Sequence, residues 1–239
     1  MRTIVETLQP PTPKTSTKPN RPALNQGSLR FNNNGYDLEE ISTDEESESD
    51  QESDIVRVSP GVRSYRDTVN EGEQAIVFST SITKGIDVRR FNNAYENGTA
   101  EFQRFPGKTA GNFKNCLWKH LDEKRPNAVI IQAGGNDLPT STPLSEIADN
   151  LIEAAGMCRR FGVQKICIGG VITRPGLQKR CIELNKILVR RCKSHRYDFI
   201  NNNRIFLGHL YDEVHLDDFG TDILANNYLD VLCTPIIRR

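Results

Sequence analysis

Beyond about residue 70 the chain alternates short, continuous apolar runs with longer segments whose apolar residues recur at helical spacing, which restricts the fold more than any other feature. Residues 75–79, 101–105, 128–132, 165–171 and 197–201 are the expected strands. Residues 87–95, 109–123, 143–161, 176–195 and 218–232 are the expected helices. Runs such as AVIIQ and KICIGGV lack the in–out alternation of a half-exposed strand, so they suit a sheet buried on both faces, as parallel sheets are. Leu144, Ile147, Leu151 and Ala155 share one face of their segment, and Ile182, Leu184, Ile187, Leu188 and Cys192 are expected to do so in theirs. Five rounds of strand and helix imply a three-layer α/β/α sandwich around a five-stranded parallel sheet, flavodoxin-like in its class, with crossovers of one hand.

In such a sheet, ligands bind beyond the carboxyl ends of the strands, so the residues that follow each strand are the candidates for chemistry. The first strand stops at Ser79, Thr80 and Ser81, ahead of a glycine turn. Hydroxyl residues there also serve as ordinary caps. The second strand runs into Phe105-Pro106-Gly107-Lys108-Thr109, where glycine permits close approach of the backbone and a helix start offers unpaired N–H groups. Gly-Lys-Thr is not a phosphate loop, because the first glycine of that motif would fall at Phe102. The third strand runs into Gly134-Gly135-Asn136-Asp137, a turn that can aim a neutral carboxamide donor at the strand ends. A nucleophilic serine needs a base, and four histidines compete. His120 and His195 read as surface residues. His209, Asp212 and His215 are spaced so that a metal site is conceivable, but His215 with Asp212 three residues before it suits a base and its orienting carboxylate better. Arg174 and Phe91 are further candidates for the pocket wall.

Residues 1–70 are rich in Pro, Ser, Thr and Asn and then acidic, and they hold too little apolar surface to offset chain entropy. They are expected to be a disordered tail before a folded domain over residues 71–239. The first 54 residues carry five basic and eleven acidic side chains, a net of −6, so the remainder carries +6 in a chain of zero formal charge. The start shows no apolar core of a signal peptide, and no run of eighteen apolar residues occurs, so the sequence points to a cytoplasmic or nuclear protein that is neither secreted nor membrane-spanning. Six cysteines without CxxC spacing read as buried free thiols and not as a disulfide or zinc framework. Asn97-Gly98-Thr99 reads as a turn.

The four blocks, in this order and at these separations, resemble the SGNH hydrolase superfamily, the GDSL-like esterases, over about residues 71–233. The resemblance implies that Ser81 is the nucleophile, Asp212 and His215 complete its triad, and the backbone N–H groups of Ser81 and Gly107 with the Asn136 amide form an oxyanion hole. It implies a serine esterase cleaving a small acyl ester, acetyl among them, with no cofactor or metal. At the first block, Ser79 and Thr80 stand where the family keeps Gly and Asp. The wording IVFSTSITKGI, FPGKT, AGGND and HLDDFG also resembles a divergent group of invertebrate genomes, often carried by mobile elements. The alternative is a catalytically silent domain of this type that binds RNA or protein through Arg89, Arg90, Arg159, Arg160, Lys179, Arg180, Arg190, Arg191, Lys193 and Arg196.

Overall fold

The computed structural model describes residues 72–235; the Pro/Ser-rich and acidic stretch over residues 1–70 lies outside the described residues. In chain order the elements are β1 (Glu73–Ser79), α1 (Val88–Ala94), β2 (Gly98–Arg104), α2 (Ala110–Lys124), β3 (Ala128–Gln132), α3 (Leu144–Arg160), β4 (Lys165–Gly169), α4 (Gln178–His195), β5 (Asp198–Ile200) and α5 (Asp218–Leu232). Short 3-10 turns cover Ser81–Thr83 and Leu207–His209. The strands form one parallel sheet in the order β2-β1-β3-β4-β5. Among the described residues no helix is long and apolar enough to cross a membrane.

The two-period of a strand sorts the central residues into two cores. Ile76, Phe78, Val129 and Ile131 join Phe113 and Leu117 of α2, Ile147 and Leu151 of α3, and Leu184 and Leu188 of α4. Ala75, Val77, Ala128 and Ile130 join Phe91 of α1 with Leu224 and Tyr228 of α5 on the other face. Each fully buried Leu, Ile or Phe contributes roughly 1.5–3 kcal/mol through removal of apolar surface from water. Both faces of the sheet are therefore covered, as the unbroken apolar runs require.

Three expectations change. Strand β2 begins at Gly98, three residues before the expected start at Glu101, so Gly98 and Thr99 belong to an edge strand, while Asn97 stays in the turn closed by the Gly98 N–H on the Tyr95 carbonyl. The strand, GTAEFQR, is mostly half-buried at the sheet edge and holds no continuous apolar run that would mark its start. Ile182 is 52% exposed, because Cys181 occupies the inward position beside Leu184 and Leu188. Phe91 is core under the sheet and not pocket wall.

A buried polar network fixes α5 to the sheet's carboxyl edge. Gln132 Nε2 donates to the Gly170 carbonyl (3.1 Å), while Gln132 Oε1 accepts from Asn202 Nδ2 (3.2 Å) and the Tyr228 hydroxyl (3.1 Å). Asn227 Nδ2 donates in turn to Asn202 Oδ1 at 3.0 Å. At the far end of the helix, the buried Lys165 ammonium donates to the carbonyls of Val231 and Thr234, where the helix dipole favours a cation. The loop that enters α5 is thus carried on a rigid element.

Candidate active site

In the order 2-1-3-4-5 the chain moves outward from β1 to β2 and then returns past β1 to β3, so the switch point lies between β1 and β3. The turns after those two strands carry Ser81 and Asn136. Strand β1 enters its turn with the Thr80 N–H donating to the Gln132 carbonyl at 3.2 Å, and Ser81 opens the 3-10 turn over Ser81–Thr83. The leading N–H groups of such a turn have no partner within it. The three hydroxyls are not equivalent. Ser79 is fully buried and shares a hydrogen bond of 2.6 Å with Thr83 Oγ1, and Thr80 is 3% exposed, whereas Ser81 is half-buried. A side-chain bond from Ser79 to Thr83 braces the turn, a role that the sequence around Ser79-Thr80 did not announce.

Ser81 and His215 line the same cleft of about 410 Å³, together with Lys84, Tyr211, Asp217 and Thr221. The loop before α5 is pinned at its neck by an antiparallel bridge between Leu210 and Leu216 and by the Asp217 N–H donating to the His209 carbonyl at 2.8 Å. Within it Asp212 acts twice on His215. Its Oδ1 accepts the backbone N–H groups of Val214 (2.7 Å) and His215 (2.6 Å), and its Oδ2 lies 2.8 Å from the ring Nδ1. Those three hydrogen bonds hold the Asp212 carboxyl at about 2, below the ordinary carboxylate range. Tyr211 stacks on the other side of the ring, with centroids 5.8 Å apart. The imidazole is therefore fixed in place with Nε2 as its remaining functional nitrogen.

His209 does not join this site. Its Nδ1 accepts the Phe206 N–H at 3.3 Å, and its ring is packed against Phe206 and Phe219. Among the described residues no three His, Cys, Asp or Glu side chains are gathered as a metal would require. His120, expected on the surface, is half-buried against Phe78 and Phe105, each at a centroid distance of 6.0 Å. Cys158, Cys167, Cys181 and Cys192 are buried free thiols, and burial pushes Cys158 and Cys192 up to about 12.

Gly107 and Asn136 are not among the residues lining the cleft. Gly107 is the third residue of the turn Phe105-Pro106-Gly107-Lys108, closed by the Lys108 N–H on the Phe105 carbonyl. Its φ of 73° is the left-handed value a type II turn demands there, and no atom lies within 4 Å of an added Cβ, so conformation and not crowding requires the glycine. Asn136 Nδ2 donates to the Lys108 carbonyl at 3.0 Å, and Asn136 Oδ1 accepts from Arg174 Nη2 at 3.1 Å. These bonds tie together the loops after β2, β3 and β4.

Asp137 secures the same junction from below. It is 3% exposed, and both of its carboxylate oxygens face the Ala110 N–H, at 3.2 and 3.0 Å. Burial raises its pKa, partly offset by that backbone bond and by the charge of Arg174. Thr109 has the sequence of an N-cap, but its hydroxyl is bonded to Asn112, and the cap of α2 comes from a carboxylate 27 residues away. No local pattern reveals a cap supplied through space. Asp137→Ala is expected to strand the Ala110 N–H and cost about 1–3 kcal/mol, which lowers Tm by roughly 2–4 °C per kcal/mol in a domain of this size. An unchanged melting temperature would contradict this assignment.

No family model matches the chain, and no curated protein matches its sequence. Solved structures do match its shape. A GDSL-like lipase from Bacteroides thetaiotaomicron superposes with a TM-score of 0.59 at 16% identity, over 67% of this chain and 87% of that one. A member of the lipolytic G-D-S-L family from Veillonella parvula gives 0.57 at 19%, over 68% and 99%. The acetylxylan esterase Axe2 from Geobacillus stearothermophilus gives 0.59 at 16%, over 70% and 97%. The described domain thus has the three-layer α/β/α fold of GDSL-like lipases and esterases.

Proposed function

We propose that the protein is a serine esterase that cleaves a small acyl ester, with Ser81 as nucleophile, His215 as base and Asp212 as the carboxylate that orients it. The observation that carries this reading is the cleft shared by Ser81 and a histidine whose ring is held at Nδ1 by Asp212 Oδ2 at 2.8 Å. In the proposed reaction Ser81 Oγ attacks the ester carbonyl while its proton passes to His215 Nε2. The carbonyl oxygen becomes an oxyanion, for which the proposed donors are the Ser81 and Gly107 N–H groups and the Asn136 amide. Collapse breaks the bond to the alkoxide, which takes the proton from Nε2. Water then repeats the sequence on the acyl enzyme and restores Ser81. A cleft of about 410 Å³ has room for a small acyl ester, acetyl among them. The likeness of the fold to acetylxylan esterase Axe2 supports the class of bond and leaves the alcohol to be found.

The alternative, a binding module without catalysis, draws less support from its basic residues. Arg180 donates to the Leu138 and Thr142 carbonyls, Arg159 to the His195 carbonyl, and Arg90 and Arg191 pair with Asp222 and Asp149. These four of the ten basic side chains therefore have partners within the fold, which lessens their support for a basic stripe.

Reaction with a fluorophosphonate probe tests the proposal, since that reagent bonds only to an activated serine. Stoichiometric labelling of Ser81 is expected. A folded protein that neither labels nor hydrolyses short acyl esters would overturn the enzyme reading. Asn136→Ala should lower kcat by about 10²–10³ with little change in KM, the loss typical of one oxyanion donor. Steady-state kinetics on an acyl ester read this directly, and full activity of the variant would remove Asn136 from the oxyanion hole.

A further inference from the structure

We propose that Arg174 is a positioning residue for the oxyanion donor: together with the Lys108 carbonyl it permits Asn136 only the amide orientation that keeps one Nδ2 hydrogen for the substrate. The inference rests on the ester-hydrolase reading and adds a residue to it.

A carboxamide has two faces of opposite character, an acceptor oxygen and a donor nitrogen with two hydrogens. Asn136 stands between two partners that cannot change character. Arg174 Nη2, donor only, lies 3.1 Å from Oδ1, and the Lys108 carbonyl, acceptor only, lies 3.0 Å from Nδ2. Flipping the amide would set nitrogen against guanidinium and oxygen against carbonyl, so both bonds would become repulsions. In the observed orientation one Nδ2 hydrogen is taken by Lys108, and no second acceptor for Nδ2 occurs among the described residues. That hydrogen is the one available to an oxyanion.

The guanidinium is itself held closely. An added Cβ at Gly135 would stand 3.0 Å from Arg174 Nη2, so the planar head lies against the backbone of the residue before Asn136. Burial lowers the pKa of Arg174, and the charges of Asp137 and Asp212 raise it. Its positive charge is thus favoured both by the carboxylate that caps α2 and by the carboxylate that orients His215. Arginine suits this place because its fork is rigid and stays charged, which a flexible ammonium or neutral donor does not reproduce.

The test compares wild type, Arg174→Met, Arg174→Lys, Asn136→Ala and the Arg174→Met/Asn136→Ala double variant on p-nitrophenyl acetate. Arg174→Met should lower kcat by roughly 10- to 100-fold with KM nearly unchanged, less than deletion of the donor itself. Arg174→Lys should restore part of that loss. The double variant should be no slower than Asn136→Ala, because Arg174 acts through Asn136. Losses that multiply in the double variant, or wild-type kcat in Arg174→Met, would overturn the proposal. A second readout does not depend on turnover. The side-chain NH2 pair of Asn136 in a ¹⁵N-correlated NMR spectrum, identified by its loss in Asn136→Ala, should shift and exchange faster in Arg174→Met. A pair that does not move would overturn the positioning role even in an active enzyme. A pair that moves in a protein without esterase activity would instead remove the ester-hydrolase reading and leave the hydrogen-bonded clamp in place.

Discussion

Ser81→Ala is expected to abolish fluorophosphonate labelling and to lower hydrolysis of a short acyl ester by about 10⁴–10⁶, while leaving the melting temperature within a few degrees of wild type. Three hydroxyls follow β1, and the prediction depends on their being unequal. Ser79 is fully buried and its Oγ is committed to Thr83 Oγ1 at 2.6 Å; Thr80 is 3% exposed within the turn. Ser81 alone of the three borders the cleft that His215 also lines. Neither neighbour can reach an ester held there without rebuilding the turn, so no substitute nucleophile stands ready when the Ser81 hydroxyl is removed. Ser79→Ala provides the contrast. It should keep labelling and lose stability, because Thr83 Oγ1 is then left buried without its partner, a cost of about 1–3 kcal/mol. Equal labelling of wild type and Ser81→Ala would refute Ser81 as the nucleophile. Loss of labelling in Ser79→Ala at full stability would move the assignment to Ser79.

The fold was legible because a parallel sheet covered on both faces writes itself as unbroken apolar runs, and the central strands Ala128–Gln132 and Lys165–Gly169 are such runs. Where a strand is half-buried the writing fades, which is why the start of β2 at Gly98 lay three residues before the expected one. In the candidate site, Ser81, Gly107, Asn136, Asp212 and His215 were expected from strand ends and short motifs; Ser81 and His215 share the cleft and Asp212 bonds the ring of His215, while Gly107 and Asn136 do not line it. What supports them could not be read that way. The cap of α2 by Asp137, the Ser79–Thr83 bond, the stacking of Tyr211 on His215 and the clamp of Arg174 on Asn136 are made through space. Two of these, Asp137 to Ala110 and Arg174 to Asn136, cross 27 and 38 residues of sequence, where no periodicity or spacing rule applies. The reading of His120 as a surface residue failed for the same reason: its own helix looks polar around it, and the aromatic rings that cover it belong to Phe78 and Phe105.

Asp212→Asn is the second substitution expected to have a very large effect, a fall in kcat of about 10⁴ without loss of folding. The geometry around Asp212 says why so small a change should matter. Its Oδ1 accepts two backbone N–H groups, from Val214 and His215, so an asparagine placed there keeps its oxygen on that side and turns its NH2 toward the ring Nδ1. An NH2 group can only donate, so Nδ1 must become the acceptor and the ring proton must move to Nε2. The nitrogen required to take the Ser81 proton would then already carry one. Reversing the amide would free Nδ1 but set NH2 against two backbone donors, so the loop resists that escape. The aspartate itself is held at about 2 by the same three hydrogen bonds, and it therefore stays ionised at any pH above that value. Since the folded value is depressed, its contribution to the loop is complete above the ordinary carboxylate range and is lost only as pH falls toward 2. An acid limb of kcat/KM well above pH 2 in the wild type then does not come from Asp212. Measurement of kcat against pH for wild type and Asp212→Asn tests both statements at once. Activity within tenfold of wild type in the variant would show that Asp212 does not set the tautomer, and His215 would need another orienting partner.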